Sequence, residues 1–154
     1  MPYEAENLVV GCGNVLFKDD GFGPYVIKAL EERFKDKDMP EETMFIDAGT
    51  SATHYIFSLP DERWKKIIVI DVEESGAEPG TLKYFSPFDM PKGKYESAHS
   101  WPVEEPLQDL AEKMDVIIVG CQPGEITAPD VVMGLSDPVE KAIPEAVEMI
   151  LKKL

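Results

Sequence analysis

The chain has 154 residues, 44% of them apolar, enough for one globular domain over residues 1–154 with its own core. A balance of 30 acids against 15 bases gives a formal charge of −15, which argues against nucleic acid or an anionic membrane as the main partner. No apolar run reaches membrane-spanning length. The acidic start at residues 1–7 does not read as a signal peptide, and Cys12 and Cys121 lack metal-finger spacing, so reduced thiols and a cytoplasmic location are expected.

Leu8, Val9 and Val10 predict a short buried strand. Gly11 and Gly13 would let the chain turn as it leaves that strand, and Gly21 and Gly23 would do the same before a helix over 25–34. Pro24 suits the first helical position. Val26, Ile27, Leu30 and Phe34 form its core-facing stripe, and a charged stop at 35–40 closes it. Between the glycine pairs stand Asp19 and Asp20, where one capping acid would suffice. A second strand is predicted over 43–46, followed by Asp47, Ala48, Gly49 and Thr50, then a helix over about 51–59. Residues 66–70 are the most strand-like run and end at Asp71.

Residues 73–106 are less regular, with a turn at Gly76, Pro79 and Gly80 and an edge strand over 81–85. An irregular loop then carries His99 between Ser97 and Trp101. A third helix over 104–113 precedes a strand over 116–119, which ends in Gly120, Cys121, Gln122, Pro123 and Gly124. In the last helix Asp137 is expected to cap, Pro138 to sit first and Glu140 to reach back. Its apolar stripe runs from Val139 to Leu154, and Pro144 should kink or restart it.

Strands alternating with helices predict a three-layer α/β/α fold, with a mostly parallel, twisted five-stranded sheet flanked by helices. Ligands of such sheets bind at the carboxyl edge of the strands. Residues 11–20, Asp47, Asp71 and Cys121 should therefore converge there. A nucleotide site fits poorly: the glycine run lacks the third glycine of the dinucleotide fingerprint, no Walker lysine follows, and two carboxylates would repel phosphate. Asp20, Asp71 and His99 could meet as two carboxylates and an imidazole, a set suited to zinc or nickel. The plainer alternatives are that Asp71 caps a turn, that His99 bonds within its loop, and that His54 is a surface or packing residue.

The run from Gly11 through Asn14, Asp19 and Asp20 to Gly23 resembles the N-terminal signature of the hydrogenase maturation endopeptidases. Asp47-Ala48-Gly49-Thr50, Ile68-Val69-Ile70-Asp71 with Pro79-Gly80-Thr81, Ser97-Ala98-His99 and Gly120-Cys121-Gln122-Pro123 resemble that family's later blocks in order. The resemblance implies an endopeptidase that removes a C-terminal extension from the precursor of a nickel–iron hydrogenase large subunit after nickel insertion. By position it carries the catalytic and nickel-engaging roles to Asp20, Asp71 and His99. Gly11, Gly13, Asn14, Asp19, Asp47, Gly49, Thr50 and Gln122 would shape the pocket. The nickel would arrive with the substrate, with zinc or cadmium able to replace it in the isolated protein.

The chain departs from the family in places. The family often has glutamate where Asp20 stands, Pro102 and Pro106 follow His99 closely, and Cys121 replaces an apolar residue. The adjacent aspartates and short C-terminus lean toward the proteases of methanogen hydrogenases that reduce a deazaflavin coenzyme. Cys12 has no base assigned beside it, so a covalent nucleophile is not expected. Two other readings use the same residues. One is a non-catalytic escort that docks on the nickel-loaded large subunit. The other is a phospho-receiver domain with Asp71 as acceptor, which the lack of a lysine before Pro123 disfavours.

Overall fold

The computed structural model describes residues 6–35, 43–49, 64–88 and 111–154. Five strands form one sheet: β1 (Asn7–Cys12), β2 (Thr43–Gly49), β3 (Lys66–Val72), β4 (Leu82–Phe85) and β5 (Asp115–Cys121). Their order across the sheet is β2-β1-β3-β5-β4. The β1–β2, β1–β3 and β3–β5 pairs are parallel, and β4 pairs antiparallel with β5 at the edge. The α/β class, the mostly parallel sheet and the edge strand are those the sequence predicted.

The strands run further than their apolar cores. β1 extends through Gly11 to Cys12, β2 to Gly49, β3 to Val72 and β5 to Cys121. Parallel strands buried on both faces read as continuous apolar runs. Their ends include Gly11, Cys12, Asp47, Gly49, Asp71, Gly120 and Cys121 in place of large aliphatic residues, so the pattern fades before the ladder does.

Helix α1 (Phe22–Arg33) begins three residues before the predicted start, with Gly21 at the N-cap and Pro24 third in the helix. Its entry is set by close approach. A Cβ on Gly23 would lie 2.3 Å from the Cys12 carbonyl oxygen and 2.6 Å from that of Ile70. One on Gly11 would lie 2.6 Å from the Gly23 oxygen. Gly11 is thus a seat for the helix within β1, not a turn residue. Gly13, at φ 135°, is the turn.

Helix α2 (Asp137–Lys153) corrects two expectations at its start. Ser136, not Asp137, occupies the N-cap, and Pro138 is second in the helix. The helix also continues through Pro144, which is exposed, so water can reach the carbonyl that the proline leaves unbonded.

Both helices cover one face of the sheet. Val26, Ile27 and Leu30 of α1 and Val139, Ala142, Ala146, Val147 and Ile150 of α2 pack with Val9, Ile68, Ile70 and Val119. Arg33 ion-pairs with Glu148 across the two helices. The opposite face is buried as well, around Leu8, Val10, Ile67, Val69, Trp64 and Ile118. The predicted helix over 51–59 and most of that over 104–113 lie outside the described residues. No helix among the described residues is long and apolar enough to cross a membrane.

Candidate functional site

The sheet changes direction at β1. The chain passes from β1 to β2 on one side and returns to β3 on the other, so the carboxyl ends of β1 and β3 border the crevice where such folds bind ligands. Gly11 pairs with both Asp47 and Ile70, so Asp47 lies level with Gly11, and Cys12 and Asp71 each follow one residue further along their strands. Gly120 pairs with Asp71 and Cys121 with Val72, bringing the end of β5 alongside. The convergence expected from sequence is therefore present for residues 11–20, Asp47, Asp71 and Cys121.

The adjacent acids part ways. Asp19 is fully buried. Its Oδ2 accepts hydrogen bonds from the Gly124 and Glu125 amides at 2.8 Å and from the Ser136 hydroxyl at 2.7 Å, and its Oδ1 accepts the Ser136 amide at 2.7 Å. One carboxylate thus ties the first loop to the segment after β5 and to the start of α2. Neither Asp19 nor Asp20 caps α1 through its side chain. The second acid has its own use: Asp20, 4% exposed, accepts the Asn14 amide at 3.2 Å. Gly13 permits this fold-back, because a Cβ there would stand 1.9 Å from the Asp20 carbonyl oxygen.

Asp71 is 3% exposed, and its Oδ1 accepts the Val72 amide at 2.8 Å. Glu73, also buried, escaped the sequence reading. Its only sequence signal is its place two residues past Asp71 at the end of a strand. Asp47 accepts the Gly49 amide at 3.0 Å, and the Gly49 carbonyl in turn accepts the Gly13 amide at 2.9 Å. Gln122 is buried and bonded at both ends. Its Oε1 accepts the Ser75 amide and hydroxyl at 2.8 and 3.2 Å, while its Nε2 donates to Glu74 at 2.8 Å and to the Pro123 carbonyl at 3.2 Å. It therefore fixes the segment leaving β3 just beyond Asp71 and Glu73.

Cys12 reports the field of this edge. Its buried thiol is pushed well above its ordinary value, first by desolvation, then by Asp71, Glu73, Asp47 and Asp20. Four carboxylates, from the ends of β2 and β3 and from the first loop, thus act on one point. A thiol held protonated is a poor nucleophile, which agrees with assigning it no covalent role. Cys121 is pushed up to about 12, mainly by burial and then by Asp19. The two cysteines end strands separated by β3 and belong to cores on opposite faces, so they do not pair.

Carboxylates gathered at a buried edge favour a cation, because negative charge in a poorly hydrated site is costly until it is neutralised. Among the described residues no group of three His, Cys, Asp or Glu side chains is placed to hold a metal ion. His99, the predicted third member, and Thr50 lie outside the described residues.

The comparisons with known proteins agree with one another. A family model described as hydrogenase maturation protease matches residues 24–153. Coenzyme F420 hydrogenase subunit delta of Methanothermobacter thermautotrophicus is 63% identical over 154 residues, covering 100% of this chain and 98% of that protein. Its coenzyme branch is the one toward which the sequence leaned. The structure of the hydrogenase maturating endopeptidase HybD from E. coli superposes with a TM-score of 0.78 at 25% identity, over 97% of this chain and 91% of that one. The NiFe hydrogenase maturation protease HybD from Thermococcus kodakarensis gives 0.68 at 26% identity, over 96% and 97%.

Proposed function

Because this chain belongs to the hydrogenase maturation protease family, a family of peptide hydrolases, we propose that it removes the C-terminal extension of a nickel-loaded large-subunit precursor of a nickel–iron hydrogenase, in the cytoplasm. Asp20 and Asp71, with His99, engage the nickel that the precursor carries. The observation that carries this reading is that Asp20, in the loop that leaves β1, and Asp71, near the end of the neighbouring β3, are both nearly fully buried at the switch point. Carboxylates buried at one edge disfavour each other's charge, and a divalent ion held by the substrate relieves that cost on arrival. Oxygen and nitrogen donors suit nickel, and zinc or cadmium would occupy the same set in the isolated protein.

On this reading the metal is substrate, and its presence signals that the precursor is ready to be cut. Asp47, Gly49 and Asn14 hold the loop that carries Asp20, and Gln122 holds the segment beyond Asp71. The test is cleavage of nickel-loaded against nickel-free precursor, followed by intact mass. Release of a short C-terminal peptide from the loaded form alone is expected. Equal cleavage of both forms would overturn nickel recognition.

A second reading is a non-catalytic escort for the large subunit. The description of the 63% identical relative as a hydrogenase subunit favours it. A stable complex with the loaded precursor and no released peptide would establish the escort instead.

A further inference from the structure

Leu16, Val131, Val132 and Met133 are 40%, 63%, 41% and 64% exposed, in a protein whose other described aliphatic side chains largely face the core. They form one ridge, because two loops far apart in sequence are bonded together. The Val132 amide donates to the Leu16 carbonyl at 2.8 Å, and the Lys18 amide donates to the Val132 carbonyl at 2.8 Å. A further bridge joins Lys18 to Ile126. Below it, the Asp130 amide donates to the Thr127 carbonyl and the Thr127 hydroxyl to the Asp130 carbonyl, both at 2.7 Å. The ridge is thus held in place by backbone pairing and displays its apolar side chains outward.

Two further features say what covers it. The first is continuity with the crevice: the Asn14 amide donates to Asp20, and the Asn14 side chain accepts the Leu16 amide at 2.9 Å. Whatever lies on Leu16 lies beside the loop that carries Asp20. The second is charge. Glu125, Asp130 and Asp137 stand exposed around the ridge, Lys18 is already paired with Glu125 at 2.9 Å, and the whole chain carries −15. A partner that buries the ridge must offer aliphatic side chains to the centre and positive charge to the rim.

We propose that this ridge docks the hydrogenase large-subunit precursor through an aliphatic segment flanked by basic side chains, placing its C-terminal region at the Asp20 loop. The assignment rests on the processing reading given above. Exposed aliphatic area next to a cleavage crevice supplies affinity that does not depend on the chemistry of the cut, so its loss raises KM and leaves kcat unchanged.

The test uses purified nickel-loaded precursor and the full chain carrying Val131→Ser with Met133→Ser, or Met133→Lys. All these side chains are solvent-exposed, so the urea midpoint should match that of the unaltered protein and serves as the folding control. The double serine variant is expected to weaken precursor binding at least about tenfold, with KM raised in proportion. Met133→Lys should weaken it further at low salt than at high salt, because it repels a basic flank. Binding within twofold of the unaltered protein in both variants would overturn the docking surface. Conversion of a dimer to a monomer by the serine variant, with precursor binding unchanged, would assign the ridge to a second copy of this chain and also overturn it. The two readings fail separately. If the unaltered protein binds without cutting and the variants lose binding, the docking surface stands and the protease reading falls. If the unaltered protein does not bind the precursor, the docking surface falls with it.

Discussion

Replacing Asp19 should damage folding, whereas replacing its neighbour Asp20 should damage processing. Asp19 is 0% exposed and receives four hydrogen bonds of 2.7 to 2.8 Å from Gly124, Glu125 and Ser136. Bonds to a charged acceptor contribute about 1.5–3 kcal/mol each. Gly124 and Glu125 are exposed, so water can replace the carboxylate at their amides. The two bonds from Ser136 and the residual cost at the other amides leave an expected loss of about 3–5 kcal/mol for Asp19→Ala. That is a large share of the roughly 5–15 kcal/mol available to a domain, and it lowers Tm by about 6–20 °C at this size. Asp19→Asn should also be costly despite its matching shape. Its carbonyl can keep the three donors at Oδ2, but its NH2 then faces the Ser136 amide, donor against donor. Urea unfolding followed by circular dichroism measures all three variants, and Asp20→Asn should lose clearly less than Asp19→Asn. A loss below about 1 kcal/mol for Asp19→Ala would refute the claim that this carboxylate ties the two loops to α2.

Gly23→Ala should cost about 2–3 kcal/mol or more, since its Cβ would lie 2.3 Å from the Cys12 oxygen; an unchanged urea midpoint would contradict the direct seating of α1 on the sheet. Gln122→Leu keeps the volume but releases Ser75 and Glu74, and should cost about 1–2 kcal/mol with faster hydrogen exchange at the Ser75 amide. Cys121 makes stability depend on alkaline pH. Its folded value is raised from 9.0 to about 12, so its contribution is fully present below pH 9 and is lost as pH rises toward 12. By pH 10 this amounts to about 1.4 kcal/mol, and Cys121→Ala should show a flatter fall over pH 9–11. An identical slope in the variant would show that burial does not hold this thiol protonated.

The strands were legible because each is an apolar run bounded by polar or glycine residues, and burial on both faces requires that pattern. Their ends were not, because Gly11, Asp47, Asp71 and Gly120 answer to the crevice and to α1 rather than to the core. The two acids were legible as an excess but could not be told apart: the partners of Asp19 lie more than 100 residues away, at Gly124, Glu125 and Ser136. The same contact explains the misplaced cap of α2. Ser136 donates its hydroxyl to Asp19, so the N-cap residue makes no side-chain cap and leaves no local signature. Glu73 and the ridge at Leu16 and Val131–Met133 were missed for a similar reason, since burial and exposure at loop positions follow from tertiary pairing and not from period.

On the proposed function, processing depends on the acids at the β1/β3 switch point. The measurement that tests this dependence most directly is intact-mass analysis of a nickel-loaded large-subunit precursor incubated with the unaltered protein, with Asp20→Asn and with Asp71→Asn, each confirmed folded by its urea midpoint. Loss of a short C-terminal peptide with the unaltered protein, and at least a hundredfold slower loss with either variant, is the predicted result. Processing by both folded variants at the unaltered rate would contradict it.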